Sequence, residues 1–304
     1  MNGRFAPSPT GRLHVGNLRT ALLACLFARA AGSEWYLRME DLDPVVSRRE
    51  HEEAQRADLL ALGLTWDGVV VRQSERSALY DDAIAQLTAA DLTYECYCTR
   101  KEIHAAAQAP NGPQPDGAYP GTCRQLSDRA RRQRARHGDR RPALRLRAGG
   151  ATVTIVDRQL GSFTAGVDDF VLQRSDGVAA YNLAVVVDDA AQGVNEVVRG
   201  DDLLASTPRQ VHVARLLGLV PPAYAHVPMV LAPDGTRLAK RHGAVTLADR
   251  VARGETPMQV LAMLAASLGL CEPEEPLTGP SDLLDRFEPS SLPRRAWTVP
   301  VDWL

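Results

Sequence analysis

The feature that most limits the fold lies in the first forty residues. A short apolar stretch at residues 3–6 passes Pro7, Pro9 and a His14-Val15-Gly16-Asn17 turn into an unbroken helical pattern over residues 18–31. Proline stiffens such a turn, and glycine lets backbone approach a neighbour closely. A second strand pattern follows at residues 35–39, then helical patterns near 49–62 and 78–90. Strands that alternate with helices in this way build a parallel sheet with helices on its faces.

The alternation breaks at Thr93. A cysteine-rich stretch (94–100), a Pro/Gly loop (108–121) and an arginine-rich run (129–147) follow, with strand patterns at 143–146, 152–156 and 169–173. Helix and strand patterns resume at 179–190 and 194–198. Thr207 and Pro208 then start a helix that Gly218 stops. A last strand is expected at 227–231, ahead of the loop 232–243 and a mostly helical remainder. The expected architecture is a doubly wound parallel sheet of Rossmann type. Residues 1–92 and 178–231 form its halves, 93–177 an insertion, and 232–304 a loop and helical tail.

Composition narrows the class. No apolar run reaches the roughly 20 residues of a membrane span, and the N-terminal residues carry no signal-peptide pattern, so a cytoplasmic protein is expected. Five cysteines, an odd number, fit reduced thiols better than a secreted disulfide framework. The net charge of −2 leaves nucleic-acid contact to local patches. Of 35 basic residues only Lys101 and Lys240 are lysine, and a compact ammonium does not substitute for a flat guanidinium at a phosphate.

Two segments have the chemistry of a phosphate site. Strand, tight turn and helix N-terminus around His14 aim backbone N–H groups and a helix dipole at an anion. An ordinary strand–helix connection with an exposed histidine has the same sequence. The loop 234–243 is basic, glycine-flanked and carries Lys240, which suits a pyrophosphate and equally a solvated turn. Cys96, Cys98 and Cys123 can share a tetrahedral metal or remain buried thiols. Residues 129–147 hold nine arginines against one acid, a solvated helix face or a track for RNA phosphates.

Together these segments resemble the class I aminoacyl-tRNA synthetases. His14-Val15-Gly16-Asn17 is similar to their His-x-Gly-His signature, with Asn17 at the second histidine. Arg237-Leu238-Ala239-Lys240-Arg241 is similar to Lys-Met-Ser-Lys-Ser, with only Lys240 identical. The segment from Arg4-Phe5-Ala6-Pro7-Ser8 through Gly11 resembles glutamyl-tRNA synthetases almost letter for letter. So do Arg38 to Asp43, Tyr181-Asn182 and Val198 to Leu203. The resemblance implies glutamate binding by Arg4, Phe5, Ala6, Pro7, Ser8, Glu40, Tyr181 and Arg199. It implies ATP binding by His14, Gly16, Asn17 and Lys240, with His14 and Lys240 catalytic and Mg²⁺ accompanying ATP. The residue types suit these roles: forked guanidiniums match a carboxylate, and a carboxylate matches the ammonium.

Cys-x-Cys with Tyr-x-x-x-Cys further resembles a truncated branch of that family, the glutamyl-Q tRNA(Asp) synthetases. It implies a structural zinc held by Cys96, Cys98, Tyr119 and Cys123. The 63 residues after Arg241 suffice for a stem-contact region, and no anticodon-binding domain is expected. The implied activity is ATP-dependent activation of L-glutamate and its transfer to queuosine at the wobble position of aspartate tRNA. A monomer with no membrane partner is expected. The alternatives are a shortened glutamyl-tRNA synthetase charging the tRNA 3′ end and a non-catalytic amino-acid-sensing or RNA-binding relative.

Overall fold

The computed structural model describes residues 1–99, 101–103, 119–137, 140–238 and 245–301. The strands are β1 (Gly3–Phe5), β2 (Trp35–Met39), β3 (Val71–Arg72), β4 (Thr93–Cys96), β5 (Ala143–Leu146), β6 (Thr152–Asp157), β7 (Gly161–Gly166), β8 (Val171–Gln173), β9 (Glu196–Gly200), β10 (Ala223–Val227), β11 (Val230–Leu231) and β12 (Trp297–Thr298). The helices are α1 (Val15–Ala30), α2 (Arg49–Ala61), α3 (Ser77–Ala89), α4 (Asp128–His137), α5 (Tyr181–Ala191), α6 (Thr207–Leu216), α7 (Leu247–Ala252) and α8 (Pro257–Ala266).

The parallel sheet is present in two arms. One runs β1-β2-β3 and the other β9-β10-β6, with β7 antiparallel on its edge. The arms meet where β1 lies beside β9, and the Asn2 carbonyl accepts from the N–H groups of Asn195 and Glu196. Strand order therefore reverses between β1 and β9. In open α/β sheets such a switch point leaves a crevice at the carboxyl ends of the strands.

Both sheet faces are covered, as expected for a class I synthetase catalytic domain. On one face α1 is buried nearly all round and packs with α7 and α8 over Phe5, Leu37, Val198 and Val227; a helix apolar on every side belongs in a core. On the other face α3, α5 and α6 cover Val153, Ile155, Val197 and Tyr224. A smaller antiparallel sheet, β4-β5-β8, carries the cysteine cluster and its own small core of Tyr94, Cys96, Tyr119 and Cys123.

Three local expectations differ. The last strand of the sheet is β10 at Ala223–Val227, and of residues 228–231 only β11 is strand, because Pro228 has no N–H to give a ladder. The hairpin β6–β7, within the 93–177 segment, joins the central sheet: Tyr224 is in register with Asp157, and the alternating burial of β6 turns Val153 and Ile155 into the core. Thr207 lies inside α6, and Ser206 occupies its N-cap. Beyond Thr246, where a mostly helical remainder is expected, α7, α8 and short 3-10 turns alternate with irregular chain, and β12 returns to pair with β11.

Candidate active site

A cavity of about 660 Å³ opens at the switch point, lined by the segment after β1, the start of α1 and the ends of β2 and β9. Gln55 braces its rim: the buried amide of α2 donates to the carbonyls of Ser8 and Gly11 at 3.0 and 2.7 Å. The Pro7 carbonyl accepts from the N–H of Glu40, tying the ends of β1 and β2 together.

One end of the cavity is the N-terminus of α1. His14 is the N-cap, and its Nδ1 accepts from the Asn17 N–H at 3.2 Å while the Asn17 side chain accepts from the His14 N–H at 3.3 Å. This reciprocal pair is a capping box. With Nδ1 accepting, the neutral ring carries its proton on Nε2. Burial, then the charge of Arg237, push the His14 pKa down to about 4, so the ring is a neutral donor near neutrality. Gly16 leaves room here: a Cβ would sit 3.0 Å from the His14 ring and 3.1 Å from Val230, so the capping ring would have to give way. Arg237 pairs with Asp202 at 2.7 Å across the mouth. Val15 donates to the Val245 carbonyl, which ties α1 to the segment beyond the signature loop. Lys240, expected at this end, lies outside the described residues.

The other end gathers charge beneath α5. Strand alternation puts Arg4, Arg38, Glu40 and Arg199 on the face that α5 covers. Asp189 of α5 accepts from Arg38 Nη1 at 2.7 Å and pairs with Arg4 Nε at 3.4 Å. Burial would raise its pKa, but the guanidiniums of Arg38 and Arg4 hold it below the ordinary carboxylate range. Arg4 also donates to the Val198 carbonyl at 3.3 Å, bridging β1 and β9. The Glu40 side chain, 12% exposed, lies 3.5 Å from Arg38; burial pushes its pKa up against the pull of Arg38 and Arg4. Arg199 Nη1 reaches the Tyr181 hydroxyl at 3.5 Å, and Tyr181 is 37% exposed. Phe5, Ala6, Pro7 and Ser8 complete this wall. Of the expected cavity residues, the structure brings together all but Lys240.

Asp189 and Gln55 were not singled out in the sequence, nor was the group behind Arg199. There Thr207 accepts from Arg199 Nη2 at 2.8 Å, and His226 Nε2 accepts from its Nε at 3.1 Å. Two signals were available: adjacent acids on the apolar α5, and Asp157 at a core-facing position of an alternating strand.

In the small sheet, the Sγ atoms of Cys96, Cys98 and Cys123 lie within 4.8 Å of one another. The Cys98–Cys123 separation is 3.5 Å, and the Tyr119 hydroxyl is 3.4 Å from Cys96 and 3.7 Å from Cys98. A tetrahedron of bonds near 2.3 Å has edges of about 3.8 Å, so these four groups fit one zinc ion. The Arg145 guanidinium lies 3.7 Å over the Tyr119 ring, a cation–π contact that fixes the ring. The arginine run divides: Arg145 is buried, Arg147 donates to the Thr93 and Arg124 carbonyls, and α4 exposes Arg129, Arg132 and Arg136 while Arg131 and Arg134 are half-buried. Cys25 and Cys271 stand apart from the cluster. None of the described helices is long and apolar enough to cross a membrane.

A doubly wound sheet with a capped helix N-terminus and a charged pocket at its switch point defines a class I synthetase catalytic domain. Residues 1–290 match the family described as "tRNA synthetases class I (E and Q), catalytic domain". A Glutamyl-Q tRNA(Asp) synthetase of Nocardia farcinica is 61% identical over 98% of this chain and 92% of its own length. One from Symbiobacterium thermophilum is 48% identical over 99% and 96%. The crystal structure of a glutamate tRNA ligase from Elizabethkingia meningosepticum, in complex with its amino acid, superposes with a TM-score of 0.84 at 25% identity. It matches all of this chain, which covers 68% of that one. The chain belongs to the glutamyl-Q tRNA(Asp) synthetases within this class, and it is a ligase.

Proposed function

We propose that the protein activates L-glutamate with ATP and transfers the glutamyl group to queuosine at the wobble position of aspartate tRNA. The observation that carries this is one cavity with an anion-binding helix terminus at one end and a dicarboxylate-matched set at the other. Arg199, with the Tyr181 hydroxyl, faces the side-chain carboxylate, Arg4 adds positive charge, and Glu40 holds the ammonium. The ionised α-carboxylate attacks the α-phosphorus of ATP without a general base. The bond to the bridging oxygen breaks, and pyrophosphate leaves. His14 Nε2–H, the backbone N–H groups of α1 and Lys240 stabilise the charge that builds on the phosphates. Mg²⁺ accompanies ATP and screens its phosphate charge. A hydroxyl of the queuosine diol then attacks the activated carbonyl, the bond to the AMP phosphate oxygen breaks, AMP departs, and the hydroxyl proton passes by way of the leaving phosphate to water.

Zinc held by Cys96, Cys98, Tyr119 and Cys123 serves the small sheet structurally. The solvent-facing arginines of α4 supply phosphate contacts to RNA. An enzyme acting on tRNA works in the cytoplasm. Labelled glutamate tests the acceptor. Transfer to aspartate tRNA is expected only when the tRNA carries queuosine, and removal of the 3′-terminal adenosine leaves it intact. Labelling of queuosine-free tRNA, or its loss on that removal, assigns the 3′ end instead.

A further inference from the structure

Three neighbouring strands end in one buried chain of polar groups. In the parallel ladder His226 of β10 is in register with Arg199 of β9, and Asp157 closes β6 on the other side of β10. The Asp157 and His226 side chains are both 0% exposed, with His226 Nδ1 2.6 Å from Asp157 Oδ2. Asp157 also accepts from the backbone N–H groups of Gln159, Leu160 and His226. Burial opposes its charge, yet these bonds and the His226 ring hold its pKa below the ordinary range. An ionised Asp157 takes its hydrogen bond from Nδ1–H. The other ring nitrogen is then a lone pair, and Arg199 Nε points at it from 3.1 Å.

The Arg199 guanidinium is thereby held on two of its three nitrogens. Nε is held by His226 and Nη2 by Thr207, whose hydroxyl also lies 3.1 Å from His226 Nε2. Tyr224 stacks on the His226 ring at 5.8 Å and lies beneath the Arg199 guanidinium at 5.2 Å. Among the described residues Nη1 makes only the long contact to Tyr181 in the cavity wall. A fork held in this way needs little reordering when a carboxylate arrives, and preorganisation of this kind is what raises affinity.

We infer that His226, backed by Asp157, is a positioning residue that fixes Arg199 to receive the amino acid's side-chain carboxylate. The inference rests on the glutamate reading above. The imidazole works only when neutral. A proton on Nε2 removes the acceptor and sets a second cation against Arg199. The groups facing the ring are Asp157 from β6, Arg199 and Asp201 from β9 and its end, Thr207 from α6, and Tyr224 from its own strand. Burial first, then Arg199, lowers the His226 pKa, while Asp157 and Asp201 oppose this. Glutamate KM therefore rises on acidification.

Glutamate-dependent ATP–pyrophosphate exchange and ¹⁵N NMR of labelled histidines test the inference together. His226→Asn can reach Asp157 but leaves Arg199 Nε without its acceptor. It raises glutamate KM tenfold or more, with ATP KM within twofold and kcat at saturating glutamate within threefold. His226→Gln, whose amide oxygen reaches the place of Nε2, recovers most of the loss and flattens the acid limb of the KM profile. NMR of the unmodified protein at pH 7 shows the Nδ1–H tautomer for His226, and Arg199→Met, which removes the facing cation, raises its pKa. Unchanged glutamate KM in His226→Asn, an equal rise in ATP KM, no rescue by glutamine, or an Nε2–H tautomer overturns the inference. If the unmodified protein shows no exchange with glutamate, the glutamate reading fails, and the NMR arms alone decide the role of His226. If His226→Asn does not fold, the glutamine variant and the NMR arms decide.

Discussion

Glu40 and Arg199 face the same cavity, and each is an ionisable side chain largely shielded from water. A carboxylate or guanidinium in that position is stable only against a partner of opposite sign, so removing one leaves its substrate group unpaired. Glu40→Ala and Arg199→Ala are each expected to weaken glutamate binding by roughly 2–5 kcal/mol, measured by calorimetry. Glutamine, whose amide puts N–H donors against Arg199, binds more weakly than glutamate. Equal binding of the two would mean that the pocket is misread. Lys240 is one of two lysines among 35 basic residues, and its compact ammonium suits a pyrophosphate. Lys240→Ala should slow exchange on the order of 100-fold, in line with other removed transition-state contacts, with glutamate affinity little changed. Lys240→Arg should restore only part, because a planar fork replaces a point charge.

At the scale of elements, the start of α1 joins stability to chemistry. The capping box that orients His14 also closes the first turn of a core helix. Asn17→Ala removes one of its two bonds and should cost about 1 kcal/mol, read from the denaturant midpoint. The same turn gives a pH dependence whose sign follows from burial. His14 titrates near 4 in the folded chain against 6.5 for a free histidine, so between these values the unfolded state binds the proton more tightly. The stabilisation from neutral His14 is complete above about pH 6.5 and is lost as pH falls toward 4. His14→Asn keeps a capping acceptor but cannot protonate. Its unfolding midpoint should fall less than that of the unmodified protein between pH 7 and pH 4. An identical fall would place the titration elsewhere.

For the molecule as a whole, the small sheet is the part least able to hold itself. Its core is four buried residues with a few partners, too little apolar area for an independent fold. A metal joining residues 96, 98, 119 and 123 would supply what packing does not. Metal analysis should find about one zinc per chain with that tetrahedral site filled. Cys98→Ser should lose the zinc and lower the melting temperature, while Cys271→Ser does neither. Zinc-free protein from chelator-free preparation would refute the site. The strand–helix alternation, the His14 turn, the charged blocks and the cysteine spacing were all readable in the sequence, because each is a local pattern. Pro228 also marked the end of β10, although residues 227–231 read as one apolar strand. Whether β6 belonged to the insertion or to the central sheet was not readable, since pairing depends on which strand edge lies nearby in space. The same holds for Asp189 beneath Arg4, and for Asp157 and His226 behind Arg199. Local residues determined the elements and the chemistry each could carry. Only the tertiary structure decided which buried charges face one another, because those partners lie up to 185 residues apart and come from different strands and helices that meet only when the sheet and its covering helices assemble.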